Sequence, residues 1–300
     1  MRRLLMTRLN SLALVERCTD KLIMKDFLAE ADIPMTAYTP AKKSLDLKRV
    51  SKELKLPLVL KDRKNSGGRG TIVSSNLEEI EKNLSADRLL EKYVNAPEAS
   101  VESFIHDRKI LFTNMTQYFK KGEVNIVPAN FKKAEINRIL ELNAKVLEAL
   151  KIKWGVTHLE VYRSKIGPLF GEIALRPPGG YIMDLISLSY GFNAWEAFLD
   201  LEMGLAPQVK RPNDLYSAAV LLHPGEGTLL KITGWEKVLA NSAVVKHRLK
   251  VKEGERIGPR KAVSEEVGHI SLRASFHPAL IDAVSAVEES LKFSIRKDNQ

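Results

Sequence analysis

The chain has 300 residues, with 47 Lys and Arg against 37 Asp and Glu, a formal net charge of +10, and 44% hydrophobic residues. This balance excludes a disordered chain and fits a soluble protein of about two domains. A single cysteine, Cys18, excludes a disulfide framework and a cysteine-rich zinc site. No apolar run approaches the ~18 residues of a membrane span, so no membrane partner is expected and a cytoplasmic location is.

The positive excess is densest over Lys231–Lys261, where nine basic residues stand against three acidic ones. Only Trp235 supplies aromatic interleaving there, and no recognition-helix or zinc-finger pattern is present. The stretch reads as a solvated basic face, and no nucleic-acid partner is expected.

Taken in chain order, Leu4, Leu5, Leu9, Leu12 and Val15 form a helical stripe, and the helix is expected to run on through Lys21 to Ala31. It stops before Ile33-Pro34, because proline restricts the residue ahead of it. A short helix is expected over 47–54, then a buried strand over 56–61 that ends in Lys61. A glycine loop, Ser66-Gly67-Gly68-Arg69-Gly70, leads to a strand over 71–74. A helix over 77–84 and strands over 89–94, 101–106, 109–117 and 123–127 follow. The apolar spacing of Ile136, Ile139, Leu140, Leu147 and Leu150 predicts an amphipathic helix over 134–150. Strands over 155–162 and 169–175, helices over 184–189 and 194–203, four short strands and a helix over 278–291 complete the chain.

The strongest chemical signal lies in Thr157-His158-Leu159-Glu160-Val161-Tyr162 and Gly171-Glu172-Ile173-Ala174-Leu175-Arg176. Side chains alternate along a strand, so His158, Glu160 and Tyr162 share a polar face, as do Glu172, Ala174 and Arg176. A turn centred near Ile166 sets Glu160 opposite Glu172, with β-carbons about 5 Å apart. Opposed like charges are destabilising unless a cation lies between them. Either a hard divalent cation bridges the two carboxylates, with phosphate and water completing its shell, or the glutamates are simply solvated. Arg176 on the same face would add a fixed charge for a phosphoryl group. The glycine loop is a second, weaker signal: it lets the backbone approach a polyphosphate, with Lys61 and Arg69 beside it, or it is an ordinary glycine-rich hairpin turn.

The order of these segments resembles the ATP-grasp superfamily of carboxylate–amine and carboxylate–thiol ligases. Asp20-Lys21 opens a helix, Leu58-Val59-Leu60-Lys61 precedes the glycine loop, and Glu91-Lys92-Tyr93-Val94 precedes Glu98. The two-glutamate hairpin then leads into Arg176-Pro177-Pro178-Gly179-Gly180. The resemblance implies an α+β fold in which two α/β subdomains clamp ATP, with a β-rich C-terminal subdomain. It divides the chain into an N-terminal helix (1–19), a small subdomain with the lid (20–95), a large subdomain with the metal site (96–206) and a biotin-carboxylase-like end (207–300). It assigns Lys21, Lys61, Gly67, Gly68, Arg69, Gly70, Glu91, Lys92, Val94 and Glu98 to ATP. It assigns Glu160 and Glu172 to Mg2+, with Mn2+ as the other ion that would fit, and Arg176 to the transferring phosphate. His158, Gly179 and Gly180 fall to the substrate, although a packed structural role is the plainer reading of His158.

Two departures from the family pattern stand out. Ala174 occupies the position where many members carry a metal-binding Asn, and about 20 residues precede Lys21 where members carry an α/β domain. The implied partners are small carboxylate and amine substrates, and a homodimer or a separate chain that supplies the front domain. The implied reaction is amide formation through an acyl phosphate. A bicarbonate-dependent carboxylase and a nucleotide-binding protein without catalysis are the alternatives.

Overall fold

Asp20 begins a second helix just after the first has ended at Arg17. Its side chain accepts hydrogen bonds from the amides of Leu22 and Ile23, and its backbone is extended (φ −92°, ψ 108°). The expected single helix is therefore two, α1 (Leu12–Arg17) and α2 (Lys21–Ala29). A carboxylate satisfying orphan amides at an N-cap outweighs the propensity to continue. The computed structural model describes residues 10–209 and 215–297, so Leu4, Leu5 and Leu9 of the expected stripe lie outside the described residues.

The next elements are β1 (Tyr38–Pro40), α3 (Leu47–Leu54), β2 (Leu58–Asp62), β3 (Ile72–Ser74), α4 (Leu77–Lys82) and β4 (Arg88–Lys92). The strands form an antiparallel sheet in the order β1-β4-β2-β3. Its core is apolar: Leu47, Val50 and Leu54 of α3 and Ile80 of α4 pack on Leu58, Leu60 and Leu90.

Then come β5 (Glu98–His106), β6 (Lys109–Lys120), β7 (Val124–Val127), α5 (Lys133–Leu150), β8 (Gly155–Ser164) and β9 (Gly167–Ala174). The remainder is α6 (Ile182–Tyr190), α7 (Ala194–Met203), β10 (Tyr216–Leu222), β11 (Gly227–Thr233), α8 (Trp235–Leu239), β12 (Val244–Leu249), β13 (Arg256–Ile257), β14 (Gly268–Ala274), α9 (His277–Ser290) and β15 (Lys292–Arg296). Sequence reasoning left out β1, α8, β13 and β15. Each is short, and period-2 or 3.6 patterning has too few residues to register in them.

The chain divides into two compact units. The first holds residues 1–113, 131–177 and 201–205, and the second holds 114–130, 178–200 and 206–300. In the first, β5 pairs with β8 and β8 with β9, all antiparallel, and α5 packs against β9. In the second, strands run in the order β12-β14-β10-β7-β6, with a separate sheet β13-β11-β15. Ile270 and Leu272 of β14 pack with Leu280 and Val284 of α9 in its core.

The β8–β9 hairpin contains the geometry that matters most for function. From Ser164↔Gly167 at the turn, pairing runs regularly to Val161↔Phe170, then shifts so that Glu160 faces Glu172 and Leu159 faces Ile173. Gly171 is the extra residue of a β-bulge. Without it Glu160 would face Gly171, and Glu172 would turn to the core side with Leu159, because a one-residue slip reverses every side chain. A β-carbon at Gly171 would lie 3.0 Å from the Glu160 carbonyl oxygen. Gly171→Val is expected to cost about 1–3 kcal/mol of stability through this crowding, measured as a lower urea midpoint with an unchanged m-value.

Candidate active site

In the first unit, three charged groups meet in the interior. The Glu91 carboxylate on β4 lies 3.1 Å from Nζ of Lys25 on α2 and 2.7 Å from Nζ of Lys61 at the end of β2. The Glu91 and Lys25 side chains are 2% and 1% exposed. Burial opposes ionisation of Glu91, but the two ammonium groups outweigh it and hold its carboxyl below the usual range. Burial likewise works against the Lys61 charge, and Glu91 outweighs it, so Lys61 is held firmly protonated. Lys25 is pulled down, burial exceeding the lift from Glu91. The Lys61 ammonium also lies 3.5 Å from the Tyr162 hydroxyl, whose pKa burial pushes up to about 12.

Lys25 was not singled out from the sequence. Its signal is the pattern Lys21, Met24, Lys25, Leu28, which puts two lysines on the buried stripe of α2. A lysine on a core stripe needs an internal partner, and Glu91 is that partner.

Lys21, one turn before Lys25, donates to the Asn65 carbonyl and lies 3.3 Å from Glu172 Oε1. Glu172 is the cross-strand neighbour of Glu160. Burial raises the Glu172 carboxyl, the Glu160 charge raises it further, and Lys21 opposes both. His158 closes the other side: Nδ1 lies 3.0 Å from Glu102 Oε1 and Nε2 lies 3.5 Å from Glu160 Oε1. Burial would lower its pKa, but the two carboxylates lift it to about 9. Glu102, also missed by sequence reasoning, is fully buried and accepts a 2.6 Å hydrogen bond from Ser100. His158 is thus a cationic spacer between two glutamates, and Ala174 stands opposite it in the register.

Two opposed carboxylates, one with a raised pKa, form a hard-oxygen pair that fits a divalent cation whose shell is completed by phosphate and water. No group of three His, Cys, Asp or Glu arranged to hold a metal occurs among the described residues.

The remaining predicted residues are more scattered. Gly67, Gly68 and Gly70 take positive φ (67°, 80° and 69°) in the β2–β3 turn, with Arg69 exposed beside them. The Glu91 side chain is taken up by the two lysines. The Lys92 backbone is paired too, its N–H donating to Ala37 and its carbonyl accepting from the Thr36 hydroxyl. Val94 follows β4 half-buried, and Glu98 faces Tyr162 across β5–β8. Alternation set Arg176 on the glutamates' face. However, β9 stops at Ala174, and the exposed Arg176 guanidinium donates instead to the Pro177 carbonyl at 2.8 Å. Gly179 and Gly180 belong to the second unit, where the Asn125 amide donates to the Gly180 carbonyl.

Residues 26–189 match the ATP-grasp domain, more than half of the chain. The chain belongs to the ATP-grasp family. Residues 220–296 match the L-amino acid ligase C-terminal domain 2. An L-arginine-specific L-amino acid ligase of Bacillus subtilis is 26% identical, over 84% of this chain and 66% of that protein. The chain spans 61 to 66% of the length of three curated relatives it matches. The crystal structure of an L-amino acid ligase from Bacillus licheniformis has the same fold, with a TM-score of 0.81 and 18% identity over 97% of this chain and 77% of that one. The biotin carboxylase domain of Hydrogenobacter thermophilus 2-oxoglutarate carboxylase, crystallised with MgADP and bicarbonate, aligns with a TM-score of 0.71 and 17% identity, over 93% and 67%. No helix among the described residues is long and apolar enough to cross a membrane.

These buried and half-buried charges make two testable predictions. Lys25→Met leaves a buried carboxylate with one partner fewer. It should cost about 3 kcal/mol in urea unfolding, with much of that recovered by adding Glu91→Gln. The second concerns Asp20, which forms a bidentate pair with Arg63 at 2.9 and 2.7 Å. Burial opposes its ionisation, but Arg63 and the helix amides hold its carboxyl below the usual range. A depressed folded-state pKa gives stability that is present above the unfolded value of about 4 and lost as pH falls through the folded one. Asp20→Asn should therefore be less stable by roughly 1–2 kcal/mol at pH 7. That difference should close below about pH 4 in parallel unfolding curves.

Proposed function

We propose that this chain carries the nucleotide site of an ATP- and Mg2+-dependent carboxylate–amine ligase that acts on an amino acid or another small carboxylic acid. The observation that carries the reading is the directly opposed Glu160–Glu172 pair, with Lys21 3.3 Å from Glu172, in a chain of the ATP-grasp family. The match of residues 220–296 to an L-amino acid ligase domain supports an amino-acid substrate over bicarbonate.

The two glutamates would hold the cation, and His158 and Lys21 would keep them fixed on either side. When bound, Mg2+ would supply charge neutralisation at the phosphates. Lys61, 2.7 Å from Glu91, would exchange that contact for a phosphate oxygen while Lys25 keeps Glu91 neutralised. The Glu91 side chain is thereby removed from adenine recognition, which falls to the main chain after Lys92 and to Val94. Glu98, at the start of β5, would face the ribose. Gly67, Gly68 and Gly70 would let the β2–β3 turn fold over the phosphates, with Arg69 pairing with them and water excluded. Arg176 would leave the Pro177 carbonyl for the transferring phosphate. The substrate carboxylate would take the γ-phosphoryl group, and an amine would then displace phosphate. Gly179 and Gly180 would leave room for the substrate.

ADP release measured across pairs of amino acids tests this reading. Stimulation by at least one pair is expected, falling at least about 100-fold in Glu172→Gln. MgATP binding with no ADP release from any pair would replace it with a nucleotide-binding protein. Release that depends on bicarbonate alone would replace it with a carboxylase.

A further inference from the structure

The second unit buries a histidine that no described group satisfies. His269 on β14 is 2% exposed, and neither ring nitrogen has a hydrogen-bond partner among the described residues. Ser271, two residues on and on the same face, is fully buried with its hydroxyl equally unpartnered. Unmatched polar atoms this deep cost free energy, so a pair of them on one face calls for an explanation.

Three observations converge on that face. The register sets Arg248 of the edge strand β12 opposite His269, and Lys246 opposite Ser271. Tyr181 lies flat on the His269 ring, with centroids 3.7 Å apart and planes 21° apart. Tyr181 is also the N-cap of the nine-residue helix α6, which no side chain caps, so that end carries a partial positive charge, although the Ile182 amide donates to the Gly179 carbonyl.

The charge balance indicates what would bind. The groups that bear on His269 and Tyr181 are Lys246, Arg248 and Lys250 against Asp184 and Glu266. Asp184 is neutralised by Lys246 at 2.8 Å, and Glu266 is held by Lys250 and by the Tyr181 hydroxyl at 2.7 Å. Arg248 is exposed, and no hydrogen bond or ion pair among the described residues engages its side chain. One positive charge is thus left over, carried by the planar fork of the residue that stands opposite the buried imidazole in the register.

We propose that Arg248, His269 and the N-terminus of α6 form a binding site for a single carboxylate group. A carboxylate accepts two parallel hydrogen bonds from a guanidinium and matches one surplus charge, whereas a phosphate dianion would leave a negative charge against Asp184 and Glu266. The site lies wholly within the second unit and does not rest on the ligase reading, since its test uses no nucleotide.

The test is a titration of the full chain, with 13C-labelled histidine, by sodium acetate and by glycylglycine at constant ionic strength, read at the His269 ring carbon. His269→Gln assigns the signal. A saturable shift is expected with at least one of the two, and the tighter of them tells a simple organic acid from a peptide carboxylate. Arg248→Ala, an exposed change, should weaken the affinity about tenfold while the melting temperature stays put. An equal shift with sodium chloride, a shift with inorganic phosphate alone, no shift at all, or unchanged affinity in Arg248→Ala would each overturn the proposal.

Discussion

The buried ion triad of Lys25, Glu91 and Lys61 constrains the first unit more than any other interaction. A carboxylate that is 2% exposed cannot stay ionised without close cations. Its cations come from α2 and from the end of β2, whereas Glu91 itself is on β4. These three elements must therefore dock in one arrangement or leave an isolated buried charge, an outcome that costs several kcal/mol. The same docking aims α2. Lys21 and Lys25 are one helical turn apart on the same stripe, so fixing Lys25 on Glu91 delivers Lys21 to Glu172 on a different sheet. The hydroxyl of Tyr162, 3.5 Å from Lys61, joins β8 to the cluster.

Against that frame of cations, the hairpin supplies anions. The bulge at Gly171 is the device: one residue without a side chain, placed where a β-carbon would press on the Glu160 carbonyl, turns Glu172 toward Glu160. The repulsion this creates is relieved from two sides, by Lys21 at Glu172 and by the His158 cation at Glu160. The pair is thus held close by its neighbours while burial and the Glu160 charge keep the Glu172 carboxyl raised.

Much of this was legible in the sequence because it depends on periodicity. The alternation in Thr157–Tyr162 and Gly171–Arg176 marks both faces of the hairpin, and the Glu160–Glu172 pairing expected from a turn near Ile166 is found, although the turn closes at Ser164–Gly167 and the bulge at Gly171 makes the pair. The helices over Lys133–Leu150 and Ala194–Met203 lie where their apolar spacing put them, within a residue. The misreadings have local causes. Alternation was extended to Arg176, past the point where β9 ends. The break at Asp20 was hidden because Leu12 to Leu28 keeps a helical stripe on both sides of the cap. The Lys25–Glu91 pair was not legible, because it forms only when two segments 66 residues apart in sequence meet.

The basic stretch behind the +10 charge is where pattern and structure part. Alternation explains why Lys246 and Arg248 share a face, since Leu249 on the same strand packs toward the core. Edge strands also gain from charge, which discourages pairing with other chains. Both reasons would be satisfied by a plain solvated face. Neither accounts for a buried histidine and a buried serine, unpartnered, directly across from those cations, nor for a tyrosine held over them at an uncapped helix end. Solvating charge requires only that lysines and arginines point outward. A buried imidazole and hydroxyl without a partner among the described residues are what the proposed carboxylate would satisfy.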